Sequence, residues 1–148
     1  MKRSILYGLI LLLASACTSN YTSHIRDLSF QNDSLRVITM LINEKANTIA
    51  VLFGNELALK NKLAQKPREN NELYKLVTWR QQPNTFWYGS KINGALLCIE
   101  TVKISSKEGQ VAPIYKLDCF DSPFSADLPI DRTQRISFIM NQQLVVLP

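Results

Sequence analysis

The sequence predicts a β-rich α+β domain, an antiparallel sheet of about five strands with two helices, carried behind a polar tether. Three observations point to it. Runs of strand length rich in Val, Ile and Leu alternate with turn residues between positions 35 and 120. Only the stretches after Asn55 and after Asp131 join a capping residue to helically spaced apolar side chains. Finally, Cys98 and Cys119 fall opposite each other in the long hairpin that the turn chemistry defines.

Residues 35–42 and 48–53 are both rich in β-branched and aliphatic side chains, and Asn43-Glu44-Lys45-Ala46-Asn47 supplies a turn between them, which makes a hairpin. Asn55 then caps a helix, with Glu56 in the first turn where a negative charge suits the helix dipole. Leu59 and Leu63 stand four apart on one face of that helix, and Pro67 ends it. Residues 73–79 read as a strand. Residues 80–90 hold Pro83, the adjacent aromatics Phe86, Trp87 and Tyr88, and Gly89, and read as an ordered loop. Residues 96–105 and 111–120 are the two clearest strands, followed by a Ser- and Pro-containing connection. Asp131 opens a closing helix with Gln134 three places on, as a capping box requires, and Ile136, Ile139 and Met140 form its apolar stripe. Leu144-Val145-Val146-Leu147-Pro148 is too apolar for a loose tail and is expected to pack.

The hairpin of 96–105 and 111–120 fixes its own register. A two-residue turn at Glu108-Gly109 opposes Lys107 to Gln110, because glycine accepts the positive φ that tight hairpins need. Counting outward opposes Ile104 to Pro113 and Cys98 to Cys119. The cysteines then form a non-hydrogen-bonded pair, whose Cα atoms stand about 4.5 Å apart, within the roughly 4.4–6.8 Å that a disulfide spans. Pro113 lacks an N–H, which an edge strand tolerates. Leu96, Cys98, Val102 and Ile104 share the expected core face with Val111, Tyr115, Leu117 and Cys119, and Glu100 is its one misfit. The alternatives for the cysteines are two free buried thiols or a redox pair, and the latter lacks the Cys-x-x-Cys spacing.

The N-terminus has a different character. Lys2 and Arg3 precede an apolar run from Ile5 to Leu13, and small residues lead to Cys17. That order is a secretory signal and is too short to span a bilayer. Leu13-Ala14-Ser15-Ala16-Cys17 resembles a bacterial lipobox, which implies cleavage after residue 16 and lipidation of Cys17; the pattern prefers Leu where Ala14 stands. The alternative is an ordinary signal beside an incidental cysteine. Thr18, rather than Asp, follows the cysteine, which by the same resemblance implies the outer membrane, facing the periplasm. Residues 17–34 are expected to be the lipidated cysteine and a flexible tether, and residues 35–148 a single domain. Export would leave Cys98 and Cys119 in an oxidising compartment, where disulfides persist.

Little in the chain carries catalytic chemistry. The precursor's charge of +5 is mild, and no basic stripe accompanies it, which argues against nucleic acid as a partner. The five glycines are isolated, so no phosphate loop exists. The single histidine, His24, lies in the tether, which leaves hydrolase triads and zinc sites without ligands. Glu100 buried on an apolar face is either an acid–base group with a raised pKa or half of a salt bridge. Trp79, Phe86, Trp87 and Tyr88, beside Arg80, form either a ligand or partner surface or a plug at the end of the core.

Leu52-Phe53-Gly54-Asn55-Glu56-Leu57-Ala58, then Leu76-Val77-Thr78-Trp79, then Phe86-Trp87-Tyr88-Gly89, and a final helix running into Val145-Val146-Leu147-Pro148, together resemble the cytochrome P-460 family. The resemblance covers residues 48–104 and the closing helix. It implies a periplasmic, β-rich, commonly dimeric domain. In haem-bearing members it implies a haem cross-linked to lysine that oxidises hydroxylamine or binds nitric oxide. Lys75 is the nearest counterpart of that lysine. Such members attach haem through Cys-x-x-Cys-His, which this chain lacks. The resemblance therefore implies fold rather than activity, with no cofactor. The sequence thus points to a non-enzymatic, lipid-anchored envelope module that binds a partner, a second copy or a small ligand. A haem- or nitric-oxide-binding oxidoreductase and a purely structural envelope subunit stand as alternatives.

Overall fold

The computed structural model describes residues 34–107, 109–120 and 131–145. Cys17, His24 and the segments expected to be the signal and tether lie outside the described residues. Among the described residues seven elements follow in order: β1 (Leu35–Asn43), β2 (Thr48–Asn55), α1 (Glu56–Leu63), β3 (Leu73–Pro83), β4 (Lys91–Lys107), β5 (Gln110–Cys119) and α2 (Arg132–Asn141). The strands form one antiparallel sheet in the order β1-β2-β3-β4-β5, so each pairs with its neighbours in sequence.

The turn between β1 and β2 closes as its asparagines dictate. Asn43 Oδ1 accepts from Ala46 N at 3.1 Å, and Asn47 takes a φ of 52°, a conformation asparagine tolerates better than most residues. A bulge between Val37 and Thr39 makes Ile38 the extra residue of β1, so Ile38 and Thr39 are both buried although adjacent. The carbonyl of Ile38 accepts from Val145 N at 2.9 Å. Val145 thus fastens to the edge strand through its backbone with its side chain exposed, and Leu144 packs on the core beside it, while residues 146–148 lie outside the described residues.

One face of the sheet carries the main core: Ile38, Ala50, Leu52, Tyr74, Leu76, Val102 and Ile104, against Ala58 of α1 and Ile139 of α2. Ile136 and Met140 complete the stripe of α2, as their spacing predicts. The other face has a smaller buried cluster of Val51, Val77 and Trp79, with Phe53, Leu96 and Ile99 against it. Leu96 is a correction to the expected core face. A second bulge shifts the β3–β4 register from Thr78↔Cys98 to Trp79↔Leu96, which turns Leu96 to the opposite side. Val111 and Leu117 also depart from it. They are exposed on β5, an edge strand that α2 covers mainly at Tyr115.

Asn55 caps α1 as expected, its Oδ1 accepting from Ala58 N at 3.0 Å and from Leu73 N at 3.2 Å. The helix turns a different face inward than Leu59 and Leu63 suggest. Ala58 and Asn61 are buried, and Leu63 is exposed. Asn61 is drawn in by Glu72, to whose Oε1 it donates at 2.8 Å. The helix stops at Leu63, ahead of Pro67, and Gln65 takes a φ of 51° just beyond it.

The β4–β5 hairpin has the predicted register: Lys107↔Gln110, Ile104↔Pro113 and Cys98↔Cys119. The two cysteines are disulfide-bonded, with Cα atoms 4.1 Å apart and a sequence separation of 21. Closing a loop of that length stabilises the fold by about 3 kcal/mol in the chain-entropy account.

Gly54 sits where α1 crosses β2. A Cβ there would meet Ile38 Cδ1 at 2.7 Å, Leu59 Cδ1 at 3.1 Å and Ala58 Cβ at 3.3 Å. Gly54→Ala is expected to cost about 1–3 kcal/mol by overpacking, read as a lower midpoint in chemical denaturation with an unchanged slope.

Candidate functional site

The residues singled out in the sequence part into two regions. Glu100 lies on the main core face, fully buried. Arg135, on the inward side of α2, donates Nε to Glu100 Oε2 at 2.7 Å and a terminal nitrogen to Oε1, while the Tyr115 hydroxyl donates to Oε2 at 2.7 Å. Burial, and then the bond to Glu100, pushes the Tyr115 hydroxyl well above its ordinary range, and the bond to Glu100 raises Arg135 further. Both carboxylate oxygens are thus occupied in a fork-to-fork pair. Of the two readings of Glu100, this geometry is the salt bridge.

A second buried carboxylate lies at the other end of α2. Glu72 opens toward Asn61, Glu69 and Tyr74: Oε1 accepts from Asn61 Nδ2 and from Glu69 N at 2.9 Å, and Oε2 from the Tyr74 hydroxyl at 2.7 Å. Arg68 stands 3.7 Å from Glu72 Oε2 and donates to the Tyr74 hydroxyl and to Met140 O, both at 2.8 Å. Lys62 Nζ donates to Met140 O at 2.7 Å and Gln142 O at 2.6 Å. Two cations therefore satisfy carbonyls at the C-terminus of α2, where positive charge suits the dipole. Nothing in the motif reading of the sequence pointed to this cluster. The spacing of Arg68 and Glu72 is its one visible trace.

Lys75 belongs to neither cluster. It pairs with Phe53 and Thr101 on the face of the sheet opposite Tyr74 and Leu76. Trp79 also separates from the other aromatics. It is 6% exposed, within the smaller core cluster, and so forms no part of a surface.

Phe86, Trp87 and Tyr88 remain, and their setting is distinctive. The last β2–β3 pair is Thr48↔Arg80, but β3 and β4 continue together through Gln81↔Asn93, Gln82↔Ile92 and Pro83↔Lys91. The ordered loop expected over 80–90 is thus shorter, since strand pairing persists to Pro83. At about 3.3 Å per residue these added pairs carry the hairpin about 10 Å past the end of β2. Its apex closes on itself: Asn84 N donates to Ser90 O at 2.9 Å, Phe86 N to Asn84 Oδ1 at 3.0 Å, and Ser90 N and Oγ to Trp87 O at 3.2 and 3.0 Å. Gly89 supplies the required positive φ of 75°. On this frame Phe86 is 86%, Trp87 74% and Tyr88 104% exposed. They do not fold back as a plug on the described residues, and isolated exposed apolar side chains are far commoner than three in succession.

Among the described residues no histidine stands to ligate a haem iron, and Cys98 and Cys119 are joined to each other and so cannot form thioether links. No group of three or more His, Cys, Asp or Glu is placed to hold a metal among the described residues.

Arg135→Met leaves Glu100 buried without its cation and is expected to cost about 3–5 kcal/mol, measured by equilibrium denaturation. Lys62 gives a pH signature. Burial first, and then Arg68, pulls its amine from 10.5 to about 8, against the opposing pull of Glu72. Between those values the unfolded chain holds a proton that the folded chain has released, so stability rises with pH across the window. That rise is expected to disappear from Lys62→Met, in denaturation curves compared at each pH. No protein-family model matches the chain, and no curated protein matches it.

Proposed function

We propose that the chain is an envelope lipoprotein, anchored through Cys17, whose disulfide-braced domain is a binding or structural module rather than an enzyme. The observation that carries this reading is the disulfide between Cys98 and Cys119, paired across neighbouring strands. Such bonds persist in oxidising compartments and are rare in the cytosol. An export signal over residues 1–16, ahead of Cys17, would supply the route to such a compartment. A lipid on that cysteine would hold the domain at a membrane surface, which the sorting resemblance makes the outer membrane.

The geometry of the buried polar groups supports a non-catalytic module. Glu100 and Glu72 have their oxygens committed to Arg135 and Tyr115, and to Asn61, Glu69, Arg68 and Tyr74. Neither is poised for proton transfer to a bound molecule. The P-460 resemblance enters at the level of the fold alone and rests on the sequence motifs that carry it. The exposed aromatic apex offers such a module a surface on which to dock.

Protein recovered from native membranes is expected to begin at Cys17, to carry the added mass of acyl chains, and to contain no free thiol. Intact mass and palmitate labelling check this, with Cys17→Ser losing the label and leaving the membrane fraction. A mature chain that starts elsewhere and carries no lipid would overturn the reading.

A further inference from the structure

We propose that the Phe86–Tyr88 apex inserts into the headgroup zone of an anionic bilayer and gives the domain a second point of attachment, one that sets its orientation. The insertion stands on the hairpin's own chemistry and does not require Cys17 to carry lipid.

Shape comes first. The apex continues past the end of β2, the β1–β2 turn reaches alongside it only to Gln81, and its three aromatics are exposed. Tryptophan and tyrosine join an apolar body to a polar tip and concentrate where hydrocarbon meets headgroups. Phenylalanine beside them adds purely apolar area. Backbone groups enter such a zone at low cost only when paired. Four of the seven amides from Asn84 to Ser90, those of Asn84, Phe86, Trp87 and Ser90, find acceptors within the turn, and the hydrated headgroup zone can serve the others.

Charge comes second. From Leu73 to Ile99 the chain contains Lys75, Arg80 and Lys91 and not one Asp or Glu. Arg80 and Lys91 are exposed at the base of the projecting hairpin, a few residues behind the aromatics. Basic groups at that depth face lipid phosphates, which attract them at an anionic surface. The β1–β2 turn beside Gln81 adds Glu44 and Lys45, which cancel, so the charge that this turn and hairpin present together stays positive.

Reach is compatible with both attachments on one membrane. Leu35 lies at the end of the sheet opposite the apex, since it pairs with Asn55 while the apex lies beyond Arg80. The eleven residues of β3 span about 36 Å between those ends. Residues 18–34 can extend on the order of 55 Å, so a lipidated Cys17 and the apex can meet the same surface with the sheet lying along it.

The two tryptophans separate cleanly for a test, because Trp79 is buried and Trp87 exposed. The natively processed protein is mixed with phosphatidylglycerol–phosphatidylethanolamine vesicles carrying brominated acyl chains, and a Trp87→Ser spectrum is subtracted. The Trp87 emission is expected to shift to the blue and to fall by about half, as for an aromatic at the interface. Phosphatidylcholine vesicles, or Lys91→Gln, should weaken both effects. Vesicles that float with the protein while Trp87 stays unquenched would show an anchored chain whose apex points elsewhere, overturning the inference but not the anchor. A chain without lipid whose Trp87 is still quenched would overturn the anchor and sustain the inference. Equal quenching in anionic and zwitterionic vesicles would overturn the part assigned to Arg80 and Lys91.

Discussion

The closing helix is the element on which the main core depends, and two buried carboxylates hold it there. Glu100, from the middle of the sheet, grips Arg135 near the helix start. Glu72, at the mouth of β3, organises Arg68, which with Lys62 meets the carbonyls at the helix end. Between these points Ile136, Ile139 and Met140 lie on the apolar face. Apolar contact alone would hold the helix without fixing its slide or rotation, because it is non-directional. The paired charges fix both, at the cost of taking ions out of water. Tyr115 and Tyr74 extend the two clusters, each donating to its carboxylate.

Much of this fold was legible in the sequence, for reasons that differ by element. The β4–β5 register followed from a glycine turn and a strict period of two, and nothing interrupts that period between Cys98 and Gln110. The period failed where bulges intervene. At Leu96 the shift reverses the side-chain facing, and at Ile38 it buries two adjacent residues. Bulges insert one residue without a marking composition, so alternation cannot reveal them. Leu63 misled for another reason. The short first helix is oriented by Asn61 reaching Glu72 and by the close approach at Gly54, more than by its own apolar spacing.

The polar sites show the same division. Glu100 stood out as a misfit, and Arg135 sits one turn before Ile139 on the buried stripe, so their meeting was within reach of spacing arguments. Glu72 lies in an Arg-Glu-Asn-Asn-Glu stretch that reads as loop, and its burial is a product of tertiary assembly. Among the aromatics, Trp79 joined the core by strand pairing, whereas Phe86 to Tyr88 lie beyond the point at which β2 ends. Composition grouped all four; topology divides them.

The link between Val145 and Ile38 bears on how the domain carries load. Any pull on the chain ahead of Leu35 acts on an edge strand at its first residue. Where the load runs across the strands, that geometry opens hydrogen bonds one after another, like a zip, and not all together in shear. The bulge at Ile38 comes within the first few pairs, and there the C-terminal segment crosses to the strand. It acts as a latch close to the point of traction. The disulfide, at the opposite edge of the sheet, lies off the path of that force. Mechanical endurance and redox bracing thus belong to different edges of the same sheet.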